Sequence, residues 1–280
     1  MICVEKGYVE IQLSDLQLAD FYNEAYQDSY VKDANLKENQ YLLVKDKTGE
    51  VVDKYCYQNG KLRPVLFHKL GGAFTGAIKP RNIQQICLFD MLKDKTSKIK
   101  LVTGRFGSGK TLAMTNAALE FVEDGKFERI IWVRNNVGVK DAPEIGFLPG
   151  SEIDKLMPFV MPLADHAGGI EGIKKMLEDG RLEVIPLGFL RGRSLRDSIV
   201  FCSECENLTK KHLQLLMGRI DEGSQLWLDG DLKQRDRQIF EQSAGLETMI
   251  DKLSGNKLFA YIHLEKSERS EISALADLLD

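Results

Sequence analysis

Residues 101–111, LVTGRFGSGKT, join an apolar run to a glycine-rich loop that ends in Lys-Thr. The pattern G-x-x-x-x-G-K-[ST] is complete, with its fixed positions at Gly104, Gly109, Lys110 and Thr111. Glycines in this pattern let backbone N–H groups close around phosphates, and the start of the following helix favours negative charge. Lys110 is expected to reach the β- and γ-phosphates and Thr111 to hold Mg²⁺. The segment therefore predicts a phosphate-binding loop.

Two further polar segments follow apolar runs. Residues 225–228, QLWL, lead into Asp229-Gly230-Asp231-Leu232-Lys233-Gln234, where an acid and an amide could sense a γ-phosphate or its attacking water. Residues 199–207, IVFCSECEN, form an apolar run that ends in acids, where a metal-organising motif belongs. Ligands of parallel sheets bind at the carboxyl ends of the strands, so these segments are expected to converge on one nucleotide.

The elements that would position these segments alternate between strand and helix from Pro80 onward, which predicts a mostly parallel sheet flanked by helices. The predicted strands are 99–102, 129–133, 182–186, 198–202, 225–228 and 258–262, which suffice for a sheet of five or six strands. A helix is predicted over 82–92. Another follows the loop, where apolar residues recur at helical spacing from Leu112 to Phe121.

Residues 1–78 carry no recognisable catalytic pattern and predict a small α+β unit in front of a second domain over 79–280. Ser14-Asp15-Leu16-Gln17 has the form of a capping box and precedes a short amphipathic helix. Strands are predicted over 40–45, 51–57 and 62–67, with a hairpin turn at Asn59-Gly60. The glycines of residues 71–76 mark this stretch as the predicted linker.

The composition indicates a globular protein of a reducing compartment. Hydrophobic residues make up 43% of the 280, enough for a buried core without disulfides or metals. Five cysteines, an odd number scattered through apolar segments, favour free thiols; Cys202-x-x-Cys205 has no second pair to complete a metal site. The net charge of −4 argues against nucleic-acid binding by bulk charge, although a local basic channel would escape this average. No signal peptide or membrane-spanning run is present, so a soluble, cytoplasmic protein is predicted.

The order and spacing of several motifs resemble those of PhoH-like ATPases, which have a superfamily 1 helicase-like core, over about residues 80–280. The motifs that carry the resemblance are Asn82-Ile83-Gln84-Gln85, GRFGSGKT, Gly146-Phe147-Leu148-Pro149-Gly150, Met157-Pro158, Pro162-Leu163, Arg191-Gly192-Arg193-Ser194-Leu195, SECEN, Gly218-Arg219-Ile220, GDLKQ and Glu268-Arg269-Ser270. Residues 38–67 also resemble the segment that some members carry in front of this core. We therefore expect no separate nuclease domain of the kind that other members place there.

The resemblance implies a RecA-like P-loop fold and a site for ATP and Mg²⁺. The implied catalytic residues are Lys110, Glu204, Asp231, Gln234, Arg219 and Arg269. The nucleotide-binding set is Gly104, Arg105, Phe106, Gly107, Ser108, Gly109, Lys110, Thr111, Leu112 and Gln85. Gln85 matches a position that reads adenine in helicase-like proteins, and an ordinary exposed glutamine is an equal alternative.

The second motif departs from the family pattern. Members usually have Asp-Glu-Ala-Gln-Asn, whereas this chain has Ser203-Glu204-Cys205-Glu206-Asn207. Ser203 replaces the aspartate that orients Mg²⁺-bound water; its hydroxyl can bond such a water but brings no charge. Glu204 is retained and is predicted to polarise the attacking water. A carboxylate near the metal would then come from Asp231 or Glu206, and Ser203→Asp is expected to strengthen Mg²⁺ binding.

Two functions stay open at this point. The resemblance favours a Mg²⁺-dependent ATPase that moves on or remodels RNA or single-stranded DNA; the alternative, favoured by Ser203, is a nucleotide-binding interaction protein that has lost turnover. The family also implies a homo-oligomeric ring, which we expect to be a hexamer. Arg219 or Arg269 is the leading candidate for an arginine finger, and Arg193 is the third. Arg191, Arg193 and Arg196 form a basic cluster with two alternative roles. The resemblance favours contact with RNA or with a neighbouring subunit, whereas such clusters in general are more often solvated.

Overall fold

A computed structural model describes residues 5–72, 76–134, 160–233 and 245–268. The N-terminal part contains β1 (Tyr8–Gln12), α1 (Asp15–Phe21), α2 (Glu24–Asp33), β2 (Tyr41–Lys45), β3 (Val51–Gln58) and β4 (Lys61–Pro64). The rest contains α3 (Ile83–Lys93), β5 (Ile99–Gly104), α4 (Lys110–Glu123), β6 (Arg129–Arg134), α5 (Gly169–Glu178), β7 (Leu182–Pro186), β8 (Ser198–Cys202), α6 (Lys210–Met217), β9 (Gln225–Gly230), α7 (Gly245–Leu253) and β10 (Phe259–Leu264). Short 3₁₀ turns cover Leu187–Leu190 and Cys205–Asn207.

The larger sheet has six parallel strands in the order β10-β5-β9-β8-β6-β7. This confirms the predicted α/β fold class, a RecA-like P-loop core with a mostly parallel sheet. The strand before the glycine-rich loop, β5, lies between β10 and β9, and β8 lies on the far side of β9. The carboxyl ends of β5, β9 and β8 are therefore neighbours, which brings the three polar segments to one edge of the sheet.

Successive residues of the strands pack on opposite faces of this sheet. On β5, Val102 joins the apolar cluster that includes α3, α4 and α5, and Leu101 joins the cluster that includes α6 and α7. Phe201 on β8 is fully buried and contacts Trp132 edge-on, with 4.8 Å between ring centroids. Because both faces are covered, the strands are nearly continuous apolar runs, as expected for a buried parallel sheet.

The N-terminal part forms a mixed sheet in the order β1-β2-β3-β4, with β1 parallel to β2 and the other pairs antiparallel. The capping box at Ser14 is present, and both residues of the Asn59-Gly60 turn have positive φ, as a two-residue hairpin turn requires. One strand boundary needed correction, and two elements were missed. Neither β1 nor α2 was predicted, and β4 ends at Pro64 rather than at residue 67.

The mixed sheet packs directly on the larger domain. Tyr41 and Leu43 of β2 lie in the same apolar cluster as Leu88 of α3. The side chain of Asn39 donates hydrogen bonds to backbone oxygens of Lys257 and Phe259, at 3.0 and 2.9 Å, just before and within β10. The predicted linker lies partly outside the described residues, which lack 73–75. None of the helices described is long and apolar enough to cross a bilayer.

Lys100 of β5 is fully buried and caps the C-terminus of α3. Its Nζ donates to the carbonyl oxygens of Met91 at 2.7 Å, Leu92 at 2.9 Å and Asp94 at 2.5 Å. The last carbonyls of a helix have no partner within the helix, so Lys100 satisfies groups that would otherwise be buried unbonded. Burial lowers the pKa of Lys100 to about 7.

Lys100→Met is expected to lower the free energy of unfolding by about 1–3 kcal/mol, because the methionine fills the space but donates no hydrogen bond. Urea unfolding followed by circular dichroism measures this, with Lys98→Met at an exposed position of the same stretch as the control. The unfolded chain binds more protons than the folded chain above pH 7, since the pKa of Lys100 is lowered on folding. The deficit of Lys100→Met should therefore grow between pH 7 and about 10. A deficit that is absent or independent of pH would contradict this assignment.

Candidate active site

The glycine-rich loop connects β5 to α4 and depends on glycine at two positions. Gly104 has φ 155°, and a Cβ there would lie 2.5 Å from the backbone oxygen of Leu264 on β10. Gly109 has φ 85° and is the residue before α4 begins at Lys110. Residues with a Cβ rarely adopt such positive φ values, whereas glycine adopts them without steric cost. The loop can therefore pass close to β10 and present the N-terminus of α4, which is the arrangement that a phosphate-binding loop requires.

Lys110 and Thr111 open α4 at the wall of a cavity of about 880 Å³. The lining includes Gln85, Phe106, Gly107, Gly109, Lys110, Thr111 and Leu112 from the predicted nucleotide-binding set, together with Ser203, Glu204, Glu206, Asp229 and Asp231. Nζ of Lys110 donates to the carbonyl oxygens of Gly104 at 2.6 Å and Arg105 at 3.0 Å. A cavity of this volume falls in the range of small-molecule sites. Its lining combines the cations Lys79, Arg81 and Lys110 with several carboxylates.

Glu204 stands directly after β8 in a left-handed conformation, with φ 55° and ψ 51°. A residue other than glycine in this region carries strain that the surroundings must offset. Its backbone N–H donates to Oδ1 of Asp229 at 3.0 Å, which helps to hold this turn. Ser203, the residue before it, also lines the cavity. The turn thus places the predicted water-polarising carboxylate and the substituted serine side by side at the cavity.

Asp229, at the end of β9, was not among the predicted site residues. It is 1% exposed, and its Oδ2 accepts a hydrogen bond from the Thr111 hydroxyl at 2.5 Å. With the bond from Glu204 to Oδ1, this carboxylate joins the phosphate loop to the second motif. The sequence did contain an indication of this role, because Asp229 directly follows the apolar run QLWL. The G-D-x-x-Q motif instead led to the prediction of Asp231, two residues later.

Glu206 and Asp231 are also at the cavity, but both interact with the local backbone. Oε2 of Glu206 accepts from the Asp231 N–H at 3.2 Å, and Oδ1 of Asp231 accepts from the Lys233 N–H at 3.0 Å. Burial raises the pKa of Glu206 to about 7, and the nearby charges of Asp229 and Glu204 act in the same direction. Glu206 is therefore a poor source of a fixed negative charge near neutral pH.

Gln85 is 7% exposed, so the alternative of an ordinary exposed glutamine is wrong. Its Nε2 donates to the Ser108 carbonyl oxygen at 3.0 Å, and its Oε1 accepts from the Arg81 N–H at 2.8 Å. The amide therefore ties the phosphate loop to the start of α3, whose N-cap, Asn82, accepts from the Gln85 N–H. Adenine recognition by Gln85 stays a prediction.

Comparison with known proteins assigns the chain to a family. The model of the family described as PhoH-like protein matches residues 77–276. The chain belongs to the PhoH-like protein family. It is 36% identical over 201 residues to protein PhoH2 of Thermobispora bispora, a match that covers 71% of this chain and 46% of that protein. The corresponding match to PhoH2 of Bacillus subtilis is 29% identical and covers 98% of this chain and 64% of that protein.

The chain thus spans about half the length of the first of these PhoH2 relatives. Among solved structures, the Pif1 helicase of Candida albicans is 15% identical with a TM-score of 0.38, covering 71% of this chain and 43% of that one. Bacteroides Pif1 bound to single-stranded DNA is 14% identical with a TM-score of 0.35, covering 72% and 46%. Membership of the PhoH-like family, together with the loop geometry, shows that the chain has the fold of a nucleotide-binding P-loop NTPase.

Several of the residues that the PhoH-like resemblance suggested lie away from the cavity lining. Arg191 is exposed, and Arg193 forms an ion pair with Glu183 at 2.7 Å. Arg219 follows α6, and within the described part of the chain its buried Nε has no hydrogen-bond partner. Gln234 and Arg269 lie outside the described residues, as do the motifs at 146–150 and 157–158. None of the described arginines suggested as a finger reaches the cavity from within the chain.

Other polar residues at the cavity were missed by sequence reasoning. Arg81 lines it and donates from Nη1 to the Glu268 carbonyl oxygen at 3.1 Å, while the Glu268 N–H donates to Gly107 at 3.0 Å. Asp165 and His166 line it too, and burial lowers the pKa of His166. The place of Arg81 at the cavity could have been predicted, because Arg81 directly precedes Asn82, the N-cap of α3. Asp165 and His166 belong to no recognisable motif.

Proposed function

We propose that this protein binds and hydrolyses ATP in a Mg²⁺-dependent reaction coupled to RNA or single-stranded DNA. The observation that carries the proposal is the joint placement of Lys110, Thr111 and Glu204 around one cavity, with the loop and the start of α4 facing it. In phosphoryl transfer the protein acts mainly by positioning groups and stabilising charge, so the three roles required are a cation, a metal-holding hydroxyl and a water-orienting group. These residues supply all three.

The oxygen donors at this cavity fit Mg²⁺. The Thr111 hydroxyl and the carboxylates of Asp229 and Glu204 are hard ligands or partners for metal-bound water. Within the described ranges no cluster of three or more His, Cys, Asp or Glu side chains could hold a metal by itself. This agrees with a cation held jointly by the protein and nucleotide phosphates, as Mg²⁺ usually is. Bound there, Mg²⁺ would neutralise charge on the β- and γ-phosphates.

Each residue of the site then has a defined task. Lys110, whose Nζ already contacts loop carbonyls, would turn its charge toward the γ-phosphate. Glu204 would accept a hydrogen bond from the attacking water and align it for in-line displacement, aided by its fixed left-handed turn. Asp231 and Gln234 follow β9 and would respond to the γ-phosphate, which offers a route from the nucleotide to the rest of the chain.

Coupling to nucleic acid and assembly into a homo-oligomeric ring, a hexamer by family resemblance, complete the proposal. An arginine at the γ-phosphate accelerates related reactions by about 10³–10⁵. Arg219 and Arg193 lie off the cavity of their own chain, which supports donation of an arginine across a subunit boundary. Arg269, which lies outside the described residues, stays the other leading candidate by family resemblance. Arg191 is exposed and available to a nucleic-acid or subunit surface. Light scattering with ATP that finds only monomer at concentrations where hydrolysis occurs would defeat the ring.

A nucleotide-binding interaction protein without turnover is the second candidate. Ser203 favours it, since an uncharged side chain stands where the family has an aspartate. Binding of nucleotide would then order the cavity and change a partner surface, with no chemical step. The cytoplasm, where ATP and Mg²⁺ are abundant, is the proposed location for either function.

Steady-state phosphate release distinguishes the two candidates. Purified protein with ATP and Mg²⁺ is expected to release phosphate above the level of Lys110→Ala, which loses the cation of the loop, and single-stranded RNA or DNA is expected to raise the rate. Fluorescent-nucleotide titration of the same samples reports binding. Nucleotide binding without phosphate release, with RNA, single-stranded DNA or neither, would overturn the ATPase proposal and leave the binding function.

A further inference from the structure

The order of the strands places Asp229 next to both the phosphate loop and the second motif. Asp229 is paired in register with Val102 of β5, and its neighbour Leu228 is paired with Cys202 of β8. Asp229 therefore ends a strand that lies between the strand of the phosphate loop and the strand of the second motif. Ser203 follows Cys202, so a carboxylate at either 203 or 229 is delivered to the same place from neighbouring strands.

The contacts of Asp229 match those of a metal-organising carboxylate. Oδ2 accepts the hydroxyl hydrogen of Thr111, the residue predicted to hold Mg²⁺, and Oδ1 accepts the N–H of Glu204. Asp229 is nearly fully buried, and within the described residues its carboxylate forms no ion pair. A buried carboxylate is costly unless it is paired or coordinates a metal, and two neutral hydrogen bonds offset that cost only in part. The position thus calls for a cation on the cavity side.

We propose that Asp229 supplies the carboxylate that organises the Mg²⁺ of a bound nucleotide, so that the charge missing at Ser203 is delivered from the adjacent strand. This rests on the proposed Mg²⁺-dependent binding of nucleotide, but not on hydrolysis. Asp229 holds Thr111 directly, whereas Asp231 and Glu206 bond to backbone N–H groups. Asp229 is therefore the carboxylate best placed to act through the Thr111 hydroxyl and metal-bound water.

The test measures the dissociation constant of a fluorescent ADP analogue with Mg²⁺ and with EDTA, which requires no turnover. Asp229→Asn is expected to weaken binding in Mg²⁺ by about 10- to 100-fold, the usual cost of losing a partner that orients metal ligands. Its affinity in EDTA should be close to that of wild type, because the phosphate contacts of the loop remain. Mn²⁺ binding in the ternary complex, followed by electron paramagnetic resonance, should weaken in parallel.

Two variants at position 203 separate this inference from a merely structural role of Asp229. The sequence alone led us to expect that Ser203→Asp strengthens Mg²⁺ binding, but Asp229 changes that expectation. In the wild-type background the substitution should bring no gain, because a second carboxylate beside Asp229 adds like-charge repulsion. In the Asp229→Asn background the same substitution should restore much of the Mg²⁺ dependence. This reciprocal rescue is a coupling that two independent sites would not show. Asp221→Asn, at an ion pair outside the cavity, is the matched control.

The outcomes are decisive in either direction. Retention of Mg²⁺-dependent binding by Asp229→Asn, or failure of Ser203→Asp to rescue a folded Asp229→Asn, would overturn the inference. If Asp229→Asn does not fold, as judged by its circular dichroism, the folded double variant with restored Mg²⁺ binding would support it, and a double variant without such binding would overturn it. Wild-type protein that binds nucleotide with Mg²⁺ but releases no phosphate would defeat only the ATPase proposal. Wild-type protein without Mg²⁺-dependent binding would defeat both.

Discussion

Glu204→Gln is expected to slow ATP hydrolysis by about 10²- to 10⁴-fold while leaving nucleotide affinity nearly unchanged. Glutamine keeps the size of the side chain and can still contact water, but it cannot accept a proton from it. The backbone bond from residue 204 to Asp229 does not involve the side chain and should survive. The effect should therefore fall on the chemical step and not on the fold of the turn.

Single-turnover phosphate release at saturating nucleotide measures this step directly, and fluorescent-nucleotide titration reports the affinity. Glu178→Gln, an exposed glutamate at the end of α5, is the control with the same chemical change and should behave as wild type. Hydrolysis at the wild-type rate by Glu204→Gln would remove this residue from the mechanism. Loss of nucleotide binding together with hydrolysis would instead show that Glu204 acts in binding.

The sequence was sufficient for the larger domain because its strands are buried on both faces. A run such as SIVFC at 198–202 reads as a strand without reference to its neighbours, and the carboxyl-end rule then placed the loop and both polar segments together. β1 was missed because only Tyr8 of its five residues is buried and the strand depends on pairing with β2. The polar α2 offers no apolar periodicity to detect.

The details of the site that escaped prediction depend on contacts between distant segments. The role of Asp229 follows from the strand order, which puts it beside Thr111, 118 positions away in the sequence. The sequence left open whether Gln85 is at the site or is an ordinary exposed glutamine. Its burial and its hydrogen bond to Ser108 exclude the exposed glutamine. Sequence motifs name the residue types at a site, whereas the pairing of one carboxylate with one hydroxyl requires the register between strands.

An ion pair between a partly exposed arginine and a buried aspartate connects the N-terminal sheet to the helix that supports the phosphate loop. Arg63 of β4 donates to both carboxylate oxygens of Asp90 on α3, from Nη1 at 3.0 Å and Nη2 at 2.7 Å. The hydroxyl of Tyr41 donates to the same carboxylate at 3.1 Å, and the Asp90 side chain is 2% exposed. Since α3 also carries Gln85, which bonds to the loop, the pair links the N-terminal sheet to the candidate site. The residues 1–78 and 79–280 proposed as separate domains therefore share a buried polar contact.

Arg63→Met is expected to lower the free energy of unfolding by about 1–3 kcal/mol, because the buried Asp90 carboxylate loses two hydrogen bonds from the guanidinium and keeps only Tyr41 and His68 beside it. Urea unfolding of the whole chain measures the loss. The pair of Arg181 and Asp179, at 2.8 Å, provides the matched control, because its arginine is as exposed as Arg63 but its carboxylate is 44% exposed. Arg181→Met should cost only about 0–1 kcal/mol. Adding Asp90→Asn to Arg63→Met removes the uncompensated charge and should recover part of the stability, a coupling that a double-mutant cycle isolates. Equal losses for the two arginines, or no recovery in the double variant, would show that the pair contributes packing alone.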